Sequence, residues 1–306
     1  MSQLSSSPQD RLQRARVALE GLSVADALGG FFEFNNPIVV ANYVRLKKTP
    51  NVEWHYTDDT NMALSIYEIL RKHGQIEQDA LAQSFAHHYD RLRGYGKGAR
   101  HVLSRVKNGE AWRTVATSMF NGGGSFGNGG AMRVAPLGAY FADDFDALVN
   151  NARKSAEITH AHEEGIAGAI AVAVATAYAY RLRGESPTRK QLIALILPHI
   201  PESTVKKGCI KAYEFAEDTP LVTAVEQLGN GSAVSAMDTV PFVLWSAGEH
   251  LDNYETSFWQ TASAGGDADT TCAMVGGIIA SYHGTNIIPS QWIAQRESLP
   301  DWALTD

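Results

Sequence analysis

Apolar residues recur at helical spacing along most of this 306-residue chain, and this periodicity limits the possible folds more than any other feature of the sequence. In DDTNMALSIYEILRKHG, residues 58–74, the apolar side chains share one helical face and a glycine follows the last turn. Ser7 and Pro8 have the cap-then-proline order of a helix start. The same spacing predicts further helices near 78–92, 98–107, 144–159, 163–183, 189–197, 203–216, 221–228, 234–250 and 270–282.

Strand signals are sparse. Only PIVVANYVRL, residues 37–46, has the composition of a strand, and no other stretch offers it a partner. The sequence therefore predicts an all-α protein. At roughly 150 residues per domain the length would allow two domains, but no segment between the ends has the composition of a linker. We expect one compact domain over residues 1–306, with loose ends at 1–7 and 298–306.

Charge and cysteine content exclude several classes of protein. The net charge of −7 and the scattered lysines and arginines disfavour nucleic-acid binding as the main activity. Cys209 and Cys272 stand far apart and outside any zinc pattern, which indicates a reducing compartment. The N-terminus lacks a signal peptide's apolar core, and the apolar stretch 165–180 is too short for a membrane span. We expect a cytoplasmic monomer without membrane contact, whose residues 165–180 form a central, closely packed helix.

Three glycine-rich stretches interrupt the helical pattern: 27–36 (ALGGFFEFNN), 121–138 (NGGGSFGNGGAMRVAPLG) and 262–277 (ASAGGDADTTCAMVGG). Glycine allows the backbone to bend sharply or to approach a ligand closely. Long loops of this kind in a helical protein bind ligands more often than they merely connect helices. The three stretches are therefore candidate ligand-binding segments.

Two acidic clusters stand where helices are predicted to begin. Thr57 precedes Asp58 and Asp59, an arrangement that an ordinary helix cap with an acidic first turn would explain. A second cluster, Asp267, Asp269 and Thr270, repeats the pattern after two glycines. All six side chains offer hard oxygen ligands, which suit Mg²⁺ or Mn²⁺ better than zinc. No lysine or arginine beside either cluster would relieve the repulsion between the carboxylates, whereas a cation would.

The second cluster has two other interpretations. An EF-hand loop that begins at Asp267 would need a glycine at its sixth position and an acidic residue at its twelfth, where the chain has Cys272 and Ile278. The run from Asp267 to Thr271 also resembles the nucleophile motif of haloacid-dehalogenase-type phosphatases. That motif follows a buried parallel strand, whereas WQTASAGG precedes it here and the chain lacks alternating strands and helices.

An ordered set of motifs resembles the ADP-ribosylglycohydrolase family, which includes dinitrogenase-reductase-activating glycohydrolases and animal ADP-ribosyl hydrolases. The motifs are DALGGFFEF, YTDDT, GYGKGA, GSFGNGGAMRVAPLG, THAHEEGIAGAIAVA and GGDADTT, between about residues 12 and 283. The resemblance implies an all-α domain that holds two metal ions, Mg²⁺ or Mn²⁺, in a cleft. It further implies hydrolysis of the glycosidic bond at C1″ of an ADP-ribosyl group on a protein, a small compound or, less expectedly, a nucleic acid.

The resemblance also assigns roles to individual residues. Thr57, Asp58, Asp59, Asp267, Asp269 and Thr270 match the metal ligands, and Glu33 matches a glutamate that handles a proton as general acid or general base. The positions that match the substrate-binding set are Gly96, Gly124, Ser125, Phe126, Gly127, Asn128, Gly129, Met132 and His160. Phe126 stands where relatives often have tyrosine. Phenylalanine retains the ring for stacking and lacks the hydroxyl.

The metal-ligand set is complete, since Ala268 between the two aspartates replaces no ligand. This completeness favours an enzyme over an ADP-ribose-binding protein without turnover, and a phosphatase is the third alternative. Release of ADP-ribose rather than inorganic phosphate would distinguish the first hypothesis from the third. The sequence leaves the acceptor open among arginine, serine, an acyl ester, a nucleobase and a small ADP-ribosyl compound.

Overall fold

A computed structural model describes residues 4–305, which form seventeen α-helices and three short 3-10 helices. The α-helices are α1 (Pro8–Phe34), α2 (Pro37–Leu46), α3 (Asp58–His73), α4 (Gln78–His87), α5 (Lys97–Lys107), α6 (Trp112–Ser118), α7 (Ala135–Tyr140), α8 (Phe145–Glu157), α9 (Glu163–Arg181), α10 (Arg189–Ile196), α11 (Thr204–Glu214), α12 (Leu221–Leu228), α13 (Ala236–Glu249), α14 (Tyr254–Ser263), α15 (Ala268–His283), α16 (Ser290–Gln295) and α17 (Asp301–Leu304). The 3-10 helices are Asn128–Gly130, Leu197–His199 and Thr285–Ile287. Over these residues no strand forms, and the only β-type pairings are two isolated bridges. The predicted all-α class is confirmed.

Helices α1 and α15 cross at very short range, because small residues line their contact. A Cβ on Gly21 would lie 2.2 Å from Cβ of Ala280, and one on Gly29 would lie 2.7 Å from the carbonyl oxygen of Ala268. Residue numbers rise along α1 as they fall along α15, so the two helices are antiparallel. The last turns of α1 therefore lie beside the first turn of α15, which carries the second acidic cluster.

Helix α9 lies in the centre of the domain, as the small residues of 165–180 predicted. Residues 165–177 are all buried. A Cβ on Gly138 of α7 would lie 2.2 Å from the carbonyl oxygen of Ala173, so α7 packs directly on the backbone of α9. Alanine and glycine permit this close approach at low cost in side-chain entropy.

Two segments are helical where the sequence predicted otherwise. Residues 37–46, expected to have strand character, form α2, because the Asn36 side chain accepts from the N–H of Ile38 and Pro37 occupies the first turn. Residues 27–34, expected to break the helix, continue α1 through Gly29 and Gly30. Their glycines serve close packing instead: a Cβ on Gly30 would lie 2.9 Å from Cγ2 of Thr57.

Five helices lie in stretches where the periodicity predicted none: α6, α7, α14, α16 and α17. Most of them are short, and a short helix presents too few turns for a periodic pattern. The C-terminal end differs from the predicted loose end, because Ala303 is buried and Trp302 stacks on His88 with ring centroids 3.5 Å apart. Residues 1–3 and 306 of the predicted loose ends lie outside the described residues. Within residues 4–305, no helix combines the length and the apolar character needed to cross a membrane.

Candidate active site

Three helix ends converge at one place in the fold. The last turn of α1 contributes Glu33, the first turn of α3 follows Thr57, and the first turn of α15 follows Asp267. Thr57 is the N-cap of α3, and its hydroxyl accepts from the N–H of Asp59. Helix N-termini favour negative charge, so the start of α3 and the start of α15 both suit the carboxylates that they carry.

The carboxylates form two groups that share Asp269. Asp26, Asp59 and Asp269 each place an oxygen within 4.8 Å of the other two, and Glu33, Asp267 and Asp269 do the same. The sequence placed the two acidic clusters more than 200 residues apart, and the fold joins them. Each group has the composition of an oxygen-ligand site for a divalent cation.

The two threonines of the clusters also point into the site. The Thr57 hydroxyl lies 3.0 Å from Oδ2 of Asp59, and the Thr270 hydroxyl donates to the same oxygen at 3.4 Å. Asp58 is buried beside the groups without joining either, and a Cβ on Gly94 would lie 3.6 Å from its Oδ1. Five of the six predicted metal ligands therefore lie in or against the two groups, and the sixth adjoins them.

Crowding and burial perturb these acids strongly. Burial raises the pKa of Asp58 to about 8, and burial together with the charge of Asp269 raises the pKa of Asp267 to about 8. Burial and neighbouring carboxylates hold the pKa values of Asp59 and Asp269 well above their usual range. Partial burial and the charge of Asp267 raise the pKa of Glu33. Carboxylates that repel one another in this way are relieved by a bound cation.

One buried oxygen atom without a hydrogen-bond partner indicates that a cation would fit the first acidic group. Among the described residues, Oδ1 of Asp59 is buried and has no hydrogen-bond partner. A buried carboxylate oxygen without a donor is costly, and a metal ion would satisfy it. The donor set consists of carboxylate and hydroxyl oxygens only, so the residues fit a hard cation such as Mg²⁺ or Mn²⁺ and do not resemble a zinc site.

Sequence reasoning missed Asp26, which is fully buried on α1. Its carboxylate accepts from the N–H groups of Thr57 and Thr60, both at 3.0 Å, and from the Thr57 hydroxyl at 2.7 Å. Burial raises its pKa to about 6. Asp26 thus anchors the start of α3 and also borders the first group. The available signal was its spacing of seven residues from Glu33, which puts both acids on one helical face.

The glycine-rich loop 121–130 contacts the second group through Asn128. The Asn128 amide donates to Oδ2 of Asp267 at 2.6 Å and to the Thr239 hydroxyl at 3.0 Å. Gly127 pairs with Ser235 in an isolated antiparallel bridge, which ties the loop to the start of α13. Both amide hydrogens of Asn128 are therefore engaged, and its role is to join the loop to the acidic groups.

His160 lies against this loop and is linked to Arg133 through Thr159. The Arg133 guanidinium donates to the Thr159 hydroxyl at 3.0 Å, and that hydroxyl lies 2.8 Å from Nδ1 of His160. Arginine only donates, so the Thr159 hydroxyl accepts from Arg133 and links the guanidinium to the imidazole of His160. Cβ atoms on Gly127 and Gly129 would lie 3.1 and 3.0 Å from Nε2. Burial lowers the pKa of His160 to about 3, with a smaller contribution from Arg133.

Phe126 lies at the surface of the loop and is 38% exposed. Its ring centroid lies 5.7 Å from that of Phe120, which is more exposed still. Phe120 and Asn121 have φ angles of 49° and 59°, the left-handed region that side chains other than glycine rarely adopt. An exposed aromatic pair in which Phe120 has a strained backbone is a candidate stacking surface. The sequence singled out Phe126 but missed Phe120, which precedes the glycine-rich motif.

Of the remaining predicted substrate-binding residues, Gly124 and Ser125 lie in the same loop and Met132 follows it, whereas Gly96 lies at the start of α5. Gly124 has a φ of 74°, and a Cβ there would lie 2.7 Å from the N–H nitrogen of His162. The Ser125 hydroxyl accepts from the N–H of Gly127 at 3.2 Å. Met132 is buried directly after the loop, and Gly96 is exposed at the N-cap of α5.

A cavity of about 530 Å³ adjoins the first acidic cluster on the side of α1 and the 90–94 loop. Gly30, Phe34, Thr57, Arg93 and Gly94 line it with neighbouring residues. Phe34 is 61% exposed there, so apolar surface lies close to the carboxylates. The cavity and the glycine-rich loop thus provide two separate surfaces next to the acidic groups.

Comparisons with known proteins agree with this architecture. A family model described as ADP-ribosylglycohydrolase matches residues 7–305. ADP-ribosylhydrolase ARH3 of Xenopus tropicalis is 31% identical, with 95% of this chain and 93% of the relative covered. Human ADP-ribosylhydrolase ARH3 is 29% identical over 92% of this chain and 88% of its own length. ADP-ribosylarginine hydrolase Tri1 of Serratia proteamaculans is 24% identical, over 93% and 75%.

A solved structure described as an ADP-ribosylglycohydrolase-related protein complex superimposes with a TM-score of 0.64 at 24% identity and covers 94% of both chains. At this identity the likeness supports the fold. The fold and the site together define an all-α protein with convergent acidic helix starts. This chain belongs to the ADP-ribosylglycohydrolase family, as the match over nearly its whole length shows.

Proposed function

We propose that this protein is a metal-dependent hydrolase that cleaves the glycosidic bond at C1″ of an ADP-ribosyl group and releases ADP-ribose. The observation that carries the proposal is the convergence of Asp26, Asp59, Asp267 and Asp269 with Glu33 in two groups. Two Mg²⁺ or Mn²⁺ ions would be held by Thr57, Asp58, Asp59, Asp267, Asp269 and Thr270. Bound there, they would supply Lewis-acid stabilisation to the reacting sugar.

Glu33 is the member of the acidic groups that we assign to proton transfer. It projects from the last turn of α1 at the solvent side of the site, and its carboxylate accepts from the N–H of Asp269 at 3.3 Å. A raised pKa places a carboxyl nearer the range in which it exchanges a proton at neutral pH. Cleavage through an oxocarbenium-like state needs one group that protonates the leaving oxygen or activates water, and Glu33 is compatible with either role.

The loop 121–130 would bind the ADP-ribose. Its glycines bring backbone N–H groups close to a ligand, which suits a diphosphate. Phe126, together with Phe120, would stack on the adenine, and the imidazole of His160, which packs against Gly127 and Gly129, would support the loop. A binding protein without turnover would need the same loop but would not need a complete set of acidic side chains.

The acceptor remains a separate question from the reaction. The relatives named above are an ADP-ribosylarginine hydrolase and two proteins named ADP-ribosylhydrolase ARH3. We propose an ADP-ribosylated protein or small ADP-ribosyl compound as substrate, and an ADP-ribosylated nucleic acid as a less favoured one. Two buried, unpaired cysteines fit the proposed cytoplasmic location, and a single chain contains every proposed site residue, which fits a monomer.

The proposal is tested by incubating purified protein with peptides ADP-ribosylated on arginine or serine, and with ADP-ribosylated nucleic acid. Release of free ADP-ribose from at least one substrate is expected, with loss of activity in EDTA and recovery with Mg²⁺ or Mn²⁺. Release of inorganic phosphate would indicate a phosphatase. ADP-ribose binding without turnover of any substrate would indicate a binding protein, and full activity in EDTA would overturn the metal assignment.

A further inference from the structure

The segment 54–57, directly before α3, carries the first metal-ligand candidate at its end. Its backbone groups find their partners in distant parts of the chain. The N–H of Trp54 donates to the carbonyl of Gln295 at 2.7 Å, and the carbonyl of Trp54 accepts from the N–H of Glu297 at 2.9 Å. The C-terminal residues 295–297 therefore lie alongside the approach to the site, although the sequence shows no relation between the two.

The backbone N–H and the backbone carbonyl of Tyr56 are both hydrogen-bonded to side chains. Its N–H donates to Oε1 of Glu297 at 2.9 Å, and its carbonyl accepts from Nη1 of Arg93 at 2.8 Å. The Arg93 guanidinium also lies 3.8 Å from the centroid of the Tyr56 ring. Arg93 and Glu297 form an ion pair with each other, so the two residues and Tyr56 make a closed arrangement.

Arg93 reaches the acidic cluster itself through its backbone. The carbonyl of Arg93 accepts from the N–H of Asp58 at 2.7 Å. The first N–H groups of a helix have no partner inside the helix. Groups outside α3 must therefore bind the N–H groups of Thr57 and Asp58, and these groups fix where the two residues lie relative to α15. Asp26 satisfies the N–H of Thr57, and Arg93 satisfies that of Asp58.

We propose that Arg93 and Glu297 are positioning residues for the metal site: their ion pair joins the C-terminal segment to the 90–94 loop and holds the backbone of Tyr56, so that the ligand atoms of Thr57 and Asp58 meet those of α15. The inference rests on the metal site of the proposed function. Neither side chain is placed among the metal ligands, so both act through the backbone that they hold. Ligand oxygens must be held close to their coordinating geometry for tight binding of a small cation.

The test measures Mn²⁺ binding by calorimetry at fixed pH and salt on the full-length protein. Glu297→Ala removes the acceptor of both Tyr56 and Arg93, and we expect it to weaken Mn²⁺ binding at least tenfold. Glu297→Gln retains an acceptor oxygen without the charge and should rescue part of the affinity. Arg93→Lys cannot span Tyr56 and Glu297 with one planar fork, and should weaken binding at least threefold.

Glu249→Ala is the matched control. Glu249 forms an ion pair with Arg189 at 2.9 Å, and neither residue belongs to the acidic clusters. The Glu249 side chain is 19% exposed, against 18% for Glu297. The control should melt at a lower temperature and bind Mn²⁺ within twofold of wild type, because it breaks an ion pair that does not hold the acidic clusters.

A folded Glu297→Ala protein that binds Mn²⁺ within twofold of wild type would overturn the inference. If that variant does not fold, the same outcome for Arg93→Lys would overturn it. Wild-type protein that binds no Mn²⁺ would instead overturn the metal site, and the positioning role with it. The near-ultraviolet circular dichroism spectrum identifies the folded variants.

Discussion

Glu33 and the aspartates around it have the same functional group but different places in the structure. The aspartates of α3 and α15 lie buried at helix starts, whereas Glu33 lies at the end of α1 on the solvent side. Glu33→Gln retains the shape and cannot exchange a proton at neutral pH. We expect single-turnover rates to fall by about a hundredfold to ten-thousandfold, with ADP-ribose affinity changed by only a few-fold at saturating Mg²⁺.

Asp58→Asn and Asp269→Asn are the comparison for Glu33→Gln. Both substitutions affect proposed ligands, so metal binding and turnover should fall together. Near-normal cleavage by Glu33→Gln would remove Glu33 from the mechanism, and proton transfer would then belong to another carboxyl group.

His160 contributes a pH dependence to stability. An unfolded histidine titrates near ~6.5, and burial lowers the folded pKa to about 3. Below about pH 6.5 the unfolded state therefore binds more protons, and stability falls as the pH falls. From pH 7 to pH 5 the loss from His160 alone should be about 2 kcal/mol.

The measurement is urea unfolding at pH 7 and pH 5 for wild type and His160→Asn, whose side-chain amide can still form a hydrogen bond with the Thr159 hydroxyl. The variant should lose less stability between the two pH values than wild type does. Equal losses would show that His160 is accessible to protons in the folded protein.

At the level of elements, the antiparallel crossing of α1 and α15 brings the two acidic clusters together. Gly29→Ala would place a Cβ 2.7 Å from the carbonyl oxygen of Ala268 and 2.9 Å from Cα of Asp269, so the start of α15 must shift. Overpacking of this kind costs about 1 to 3 kcal/mol of unfolding free energy. We also expect weaker Mn²⁺ binding, because the backbone that carries Asp269 moves.

Gly98→Ala in α5 is the control for Gly29→Ala. The nearest atom to a Cβ there would be Cε of Met119, at 3.7 Å. Chemical denaturation should show no loss of stability for this variant, and alanine has the higher helix propensity. A Gly29→Ala protein that is as stable as wild type and has unchanged Mn²⁺ affinity would contradict the prediction. It would show that the crossing of α1 and α15 can accommodate a methyl group at this position.

At the level of the whole molecule, the acidic groups make stability depend on metal. Without metal, Asp269→Asn removes one of several crowded charges, so the variant should be at least as stable as wild type. With Mn²⁺ at 100 times its dissociation constant, wild type should gain about 2.7 kcal/mol, and the variant should gain much less. Thermal unfolding with and without Mn²⁺ measures both effects, and an equal metal-induced gain in the two proteins would contradict the site.

The sequence by itself determined the helical class, the capped start of α3 and the hard-oxygen character of the two clusters. These properties depend on residue type and on spacing within one or two helical turns, which are local. The family resemblance added the expected roles of residues such as Glu33. Local signals also explain the errors, since β-branched residues suggested a strand at 37–46 where a cap and a proline begin α2.

Only the tertiary structure decided which local features meet. Asp26 looked like an ordinary aspartate within a helix, and becomes a member of the site because α1 crosses both α3 and α15. Glu297 stood directly before the segment 298–306 predicted to be loose, and pairs with Arg93 beside Tyr56. Contacts between residues that are 31 to 243 positions apart arise from the packing of whole helices, which local spacing within one helix does not determine.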